Sequence, residues 1–319
     1  MTAHRNLKRR VRARAAKTGE SYTTALRHFR PTPSGEDMPE PTTLRIAVAQ
    51  STVRQDPTDP AALRESGAEV RTQMKQAAKA GARLVHFPEG ALCFPSKYVM
   101  SELGPDEVGP ADWTKAQWPV LDAELASIAA LSADLGIWTA IASLHQLRDA
   151  RPHNSLYVFD DHGKRVTRYD ERTLSTTKLN FMYTPGTKPI TFDLDGYRFG
   201  LAVGMDAHIP EIFIDYVRRD VDAVLLSYAT TGLTAGQDAV AAVAPANAAI
   251  NHYWLSLAVS TNPDLPETTA GILNSAGQWV TQCPTDATSA VTTYDLHKNN
   301  ALNDSARAWR QAARARVTS

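Results

Sequence analysis

Cysteine is scarce in this 319-residue chain: there are two, Cys93 and Cys283. That rules against a disulfide framework and fits a reducing cytoplasm. Long apolar runs are also missing. The longest weakly polar stretch, residues 239–250, is short and interrupted by Pro245 and Asn247, so it does not suit a bilayer span. Positive charge at the start is not followed by an apolar h-region, which argues against a secretory signal. Internal repeats and low-complexity tracts are absent. Net charge is zero as well, but the balance is uneven along the chain. Residues 1–30 hold nine Lys/Arg and one acid, Glu20, a formal +8; the remainder carries 25 basic against 33 acidic residues, −8. A basic arm thus precedes an acidic body.

What is present reads as one large α/β domain with appendages. In residues 1–30, Leu7, Val11 and Ala15 recur on one helical face, Gly19 is placed to stop that helix, and Ser21 to cap a second with Tyr22, Ala25, Leu26 and Phe29 on one side. The stretch from Ala16 to Ser21 loosely resembles part of ribbon-helix-helix repressors, but the strand such a fold needs is missing. A solvated or disordered leader is therefore favoured over a nucleic-acid-binding arm. Residues 31–43, with four prolines, read as a linker. Residues 44–297 form the domain, and 298–319 a basic C-terminal helix over 303–317.

Within the domain, strands are expected at 44–50, 83–87, 137–144, 156–160, 165–169, 191–194, 198–203, 223–227 and 254–260, with late strands near 271–273, 278–283 and 290–294. Helices are expected at 60–80, 113–135, 209–219 and 239–251. Turns at Asp161-His162-Gly163-Lys164 and Asp195-Gly196 make two hairpins. Parallel βα units interleaved with hairpins predict a layered α-β-β-α sandwich and exclude a purely parallel doubly wound sheet.

Several short blocks fall in a telling order. Ile46-Ala47-Val48-Ala49-Gln50 opens the domain. Gly81-Ala82-Arg83-Leu84-Val85-His86-Phe87-Pro88-Glu89 follows. Next come Asn154-Ser155-Leu156-Tyr157-Val158, Pro185-Gly186, the segment from Gly200 to Glu211, and Ala246-Asn247-Ala248-Ala249-Ile250-Asn251. Over roughly residues 44–297 this series resembles the carbon–nitrogen hydrolase (nitrilase/amidase) superfamily. That resemblance implies a four-layer αββα-αββα homodimer without a cofactor. It also implies a Glu-Lys-Cys triad in which a thiolate attacks a nitrile or amide carbon, a glutamate moves protons and a lysine stabilises the oxyanion.

Placed residue by residue, the resemblance puts Glu89 at the glutamate, Glu171 at the lysine and Gly204 at the cysteine. Met205 stands where an aromatic is usual. Lys178 lies near the place of a second glutamate, so the pair Glu171 and Lys178 reads as a charge exchange. Glu89 and Glu171 are expected to approach one another, with Arg172 or Lys178 neutralising them. Lys178, Met205, Asp206 and His208 are expected to line the pocket. A metal held by Glu89, Glu171 and Asp206 or His208 is disfavoured, because no ligand spacing is diagnostic. Cys93 is expected on a loop at the pocket mouth. It is weighed as an alternative nucleophile near Lys97 but read as a small buried hydrophobe. Cys283, Tyr253 and Trp254 read as core, and His86 and His208 as structural.

Three functions follow. The first is a member of the superfamily without ordinary thiol-dependent turnover, serving in ligand binding or in a structural or regulatory role. The second is an active hydrolase with an atypical site using Glu89 and Cys93. The third is a nucleic-acid-binding regulator using residues 1–30.

Overall fold

The computed structural model describes residues 2–18, 43–230, 239–261, 268–298 and 301–317. It divides into two units, Met1–Pro41 and Thr42–Ser319. In the first, α1 (Thr2–Thr18) is a helix with no acid in its first turn and Lys17 in its last. The expected second helix at 21–29 and the linker before residue 43 lie outside the described residues.

The larger unit is built on a mixed sheet whose two halves meet at β1 (Thr43–Thr52). β1 runs parallel to β2 (Leu84–His86) and antiparallel to β12 (Ala290–His297), while its last residues, Gln50 to Thr52, pair parallel with β9 (Trp254–Thr261). On one side β2 leads to β3 (Trp138–His145), then to the hairpin β4 (His153–Phe159) and β5 (Arg165–Asp170). On the other, β9 leads to β8 (Ala223–Ala229), β7 (Tyr197–Val203) and β6 (Thr191–Leu194). The short strands β10 (Gly271–Leu273) and β11 (Trp279–Gln282) extend from β9.

Both faces of β1 are buried, which is why it reads as a continuous apolar run. Leu44, Ile46 and Val48 enter one core, and Ala47 and Ala49 the other. The first core is closed between the two sheet halves and under α4 (Pro210–Arg218) and α5 (Val240–Asn251). The second lies beneath α2 (Pro60–Lys79) and α3 (Trp118–Leu135). Helices thus flank the strands on both sides, the α-β-β-α arrangement expected. A C-terminal helix, α6 (Ala301–Val317), follows β12.

Local sequence explains the helix ends. Asp59 accepts hydrogen bonds from the N–H groups of Ala61 (2.8 Å) and Ala62 (3.3 Å), and Pro60 occupies the first turn of α2. Leu63, Val70, Met74 and Ala77 then fall on its buried face. α3 stops at Gly136, whose left-handed φ of 63° an L side chain would resist. Two tight elements were not foreseen: a π-helical turn at Lys178–Met182 and a 3-10 turn at Gly204–His208. The second directly follows β7, a parallel strand, at the end where open α/β sheets leave a crevice, and the first follows the β4–β5 hairpin.

Candidate active site

Glu89 leaves the end of β2 and is pinned from below by hydroxyls. His86 sits between Ser256 Oγ (3.0 Å) and Ser227 Oγ (2.9 Å); Ser227 Oγ also donates to the Phe87 carbonyl (2.9 Å), and Ser260 Oγ to the Glu89 carbonyl (2.9 Å). Burial drives the His86 pKa down to about 3, so the ring is a neutral spacer. The expectation that His86 has a structural role fits, although its two serine partners were not evident in the sequence.

Lys178 reaches back from its π-helical turn to Glu89 Oε1 (2.6 Å) and to both oxygens of Glu171 (3.0 Å each). Asn154, at the start of β4, uses its amide nitrogen on Glu89 Oε1 (2.8 Å) and Glu171 Oε2 (2.7 Å). The backbone N–H of Met205 donates to Glu171 Oε1 (2.9 Å). Two acids and one ammonium therefore form a compact knot, with side-chain exposures of 3%, 0% and 15% for Glu89, Glu171 and Lys178. Of the two cations weighed for this role, Lys178 takes it, while Arg172 pairs instead with Asp215 (3.1 Å).

The electrostatics follow from burial. Desolvation raises Glu171, Lys178 opposes that rise, and the charges of Glu89 and Asp206 add to it, leaving its pKa at about 8. Burial works against the charge on Lys178, but the carboxylates of Glu171 and Glu89 outweigh it and its pKa is raised. A carboxyl that holds its proton more tightly folded than unfolded favours folding at low pH. Its contribution declines as pH climbs from the unfolded value of 4.5 to about 8, and is then fully lost.

Gly204 ends β7 with φ +57°, and a Cβ there would stand 2.5 Å from Glu171 Oε1 and 2.9 Å from Glu89 Oε1. The space beside its Cα thus belongs to the acids. A cavity of about 330 Å³ opens above, with Glu89, Lys178 and Gly204 among its lining, Phe94, Met182, Tyr183, Met205 and Tyr228 in its walls, and Lys97 and Tyr98 exposed.

Two expected lining residues are turned away from this cavity. Asp206 is fully buried. It accepts from the Tyr169 hydroxyl (2.6 Å), the Thr173 hydroxyl (2.7 Å) and the N–H groups of Thr173 (2.9 Å), Arg172 (3.2 Å) and Val203 (3.2 Å). It ties the Glu171 turn to the Gly204 turn; burial raises its pKa against the pull of those donors. Asp206→Ala is expected to reduce the unfolding free energy by about 3 kcal/mol, since several buried donors lose one charged acceptor; urea denaturation showing under about 1 kcal/mol would contradict that role. His208 packs edge-on to Tyr228, with Nε2 3.4 Å from its hydroxyl. The 3-10 turn takes both side chains out of the cavity lining, Asp206 into the interior and His208 to a half-buried position against Tyr228, which a strand-to-helix reading could not foresee.

Cys93 likewise departs from its expected position at the pocket mouth. It is 2% exposed within the second core and absent from the cavity wall. Burial, reinforced by Asp56, raises its thiol pKa, so a thiolate there is disfavoured. Cys283 is also buried, with its pKa pushed up to about 12 by desolvation. Among the described residues no group of three or more His, Cys, Asp or Glu could hold a metal ion. No helix of the described residues is long and apolar enough to cross a membrane.

The family profile described as carbon-nitrogen hydrolase matches residues 45–292. This chain belongs to the carbon–nitrogen hydrolase family. Hydrolase MT0498 and Hydrolase Rv0480c, from two strains of Mycobacterium tuberculosis, are each 28% identical over 189 residues, 57% of this chain; the match spans 59% of those relatives' length. Among solved structures, an amidase from Nesterenkonia sp. AN1, a cysteine-to-alanine mutant in complex with butyramide, superposes with a TM-score of 0.66 at 20% identity, covering 82% of this chain and 93% of its own. A second structure of that amidase, with covalent addition of the acetamide moiety of fluoroacetamide at the active site cysteine, gives 0.68 at 20% identity, covering 88% and 99%. These structures share the carbon–nitrogen hydrolase fold with this chain.

Sequence reasoning named Glu89, Glu171, Lys178, Gly204 and Met205, and the fold brings all five together. It gave no role to Asn154, although that residue stood inside a quoted family block. Phe94, Met182, Tyr183 and Tyr228 carried no signal beyond being apolar or aromatic near the motifs.

Proposed function

We propose that this carbon–nitrogen hydrolase family member binds a small molecule in its cavity and does not turn over amides or nitriles through a thiol. One observation carries the reading: at Gly204 there is no nucleophile, and the place beside its Cα is filled by the Glu171 carboxylate. Loss of a covalent nucleophile typically removes on the order of 10^4–10^6 in rate. Cys93, weighed as a substitute, is buried away from the cavity with a raised pKa, so the atypical-hydrolase reading gains nothing from it.

Two measurements test this. Native protein treated with iodoacetamide is expected to show no adduct by intact mass, at Cys93 or Cys283. A panel of short aliphatic amides and nitriles is expected to give no ammonia above the uncatalysed background. Saturable ammonia release that survives repurification would overturn the proposal.

A further inference from the structure

The hydrogen-bond ledger at the cavity floor is lopsided. An ammonium has three donors, and Lys178 spends its contacts on Glu89 Oε1 and the two oxygens of Glu171. Asn154 Nδ2 has two donors, taken by Glu89 and Glu171. The Met205 N–H is taken by Glu171. None of these three groups has a donor left to hold an incoming carbonyl or carboxylate oxygen. The floor still has an acceptor. Glu89 lines the cavity, its Oε1 receives both donors, and among the described residues nothing donates to Oε2.

Charge points the same way. Two carboxyl groups face one ammonium in a region nearly closed to water; the knot is formally neutral while Glu171 holds its proton and moves to −1 as that proton leaves around pH 8. Exposed Lys97 at the cavity is the opposing charge, but solvent screens it. Phe94 and Tyr183, both in the cavity wall, hold their ring centroids 5.7 and 6.0 Å from Lys178 Nζ. Aromatic faces that close attract cations. The cavity, about 330 Å³, falls at the small end of ligand sites, which run from about 300 to 1,000 Å³.

We infer that the cavity takes a small aliphatic primary ammonium ion, its head seated on Glu89 Oε2 and its carbon chain against Phe94, Met182 and Tyr183. The inference rests on the ligand-binding reading above and specifies the ligand class. It requires no covalent step. Selectivity comes from the floor: an ammonium brings both N–H donors and a positive charge to Glu89, a carboxylate meets like charge, and an amide brings N–H donors without the charge while its oxygen receives nothing from Lys178, Asn154 or the Met205 N–H.

The test is a calorimetric titration of the full chain at pH 8 with n-butylammonium, butyramide and butyrate. Butylammonium is expected to bind at least tenfold more tightly than butyramide, and butyrate not at all. Glu89→Gln, which keeps the shape but removes the charge, is expected to weaken butylammonium at least tenfold. Butyramide binding as tightly as butylammonium, an unchanged affinity in Glu89→Gln, or no binding by any of the three would overturn the inference. Should the variant fail to fold, the selectivity of the native chain decides alone. Conversion of butyramide to butyrate during the titration would defeat the non-turnover reading, while the relative affinities would still judge the ammonium preference.

Discussion

Replacing Lys178 with methionine is expected to lower the unfolding free energy at pH 8 by about 3–5 kcal/mol, the usual penalty for leaving buried charge uncompensated. The reason lies in the knot itself. Glu89 and Glu171 are 3% and 0% exposed, and Lys178 is the ammonium that contacts both. Asn154 bridges the same acids but brings no charge. Without Lys178 the buried acids repel, and the folded protein takes up protons to relieve them. Its deficit should therefore shrink as pH falls toward 5, the sign expected when the native state binds more protons than the unfolded chain. Urea titrations at pH 8 and pH 5 on both proteins measure this. A deficit that is the same at both values, or below about 1 kcal/mol at pH 8, would show that the lysine is not the clamp.

Gly204→Cys is the second large expected effect. A side chain at φ +57° is strained, and its Cβ would stand 2.5 Å from Glu171 Oε1. Glu171 cannot yield cheaply, being held by Lys178, Asn154 and the Met205 N–H. Left-handed strain and overpacking together are expected to destabilise the variant by about 2–4 kcal/mol. Adding Glu171→Ala empties the contested space. The double variant should be more stable than the sum of the two single changes by at least about 1 kcal/mol, as neighbours that clash are not additive. Its thiol, beside Lys178 and open to the cavity, should also take iodoacetamide while Cys93 and Cys283 remain unmodified. Additive stabilities together with an unreactive residue at position 204 would mean that Glu171 does not occupy that place.

Much of the architecture was legible because local period and punctuation agree with it. β1 carries its apolar run, α2 has Asp59 and Pro60 at its start, and β4 and β5 flank a turn with Gly163. Glu89 was legible because it closes a distinctive block on a buried strand. The Lys178 contact was only half readable. Its charge exchange with Glu171 could be seen in the order of residues, but the π-helical turn that aims it at Glu89 leaves no periodic trace in five residues. Asp206 and His208 were misplaced for a related reason: the 3-10 turn at Gly204–His208 swings them off the cavity. Cys93 was placed by its distance from Glu89 along the chain, whereas the turn at Gly90, φ +69°, sends it into the apolar layer.

The hydroxyl-flanked imidazole beneath Glu89 has a mechanical consequence. With His86 wedged between Ser227 and Ser256, and Ser260 holding the Glu89 carbonyl, β2, β8 and β9 cannot slide past one another without stranding polar atoms in a dry interior. The floor is an anvil. Any difference in the cavity's width must therefore come from walls away from that floor, where Lys97 and Tyr98 are exposed.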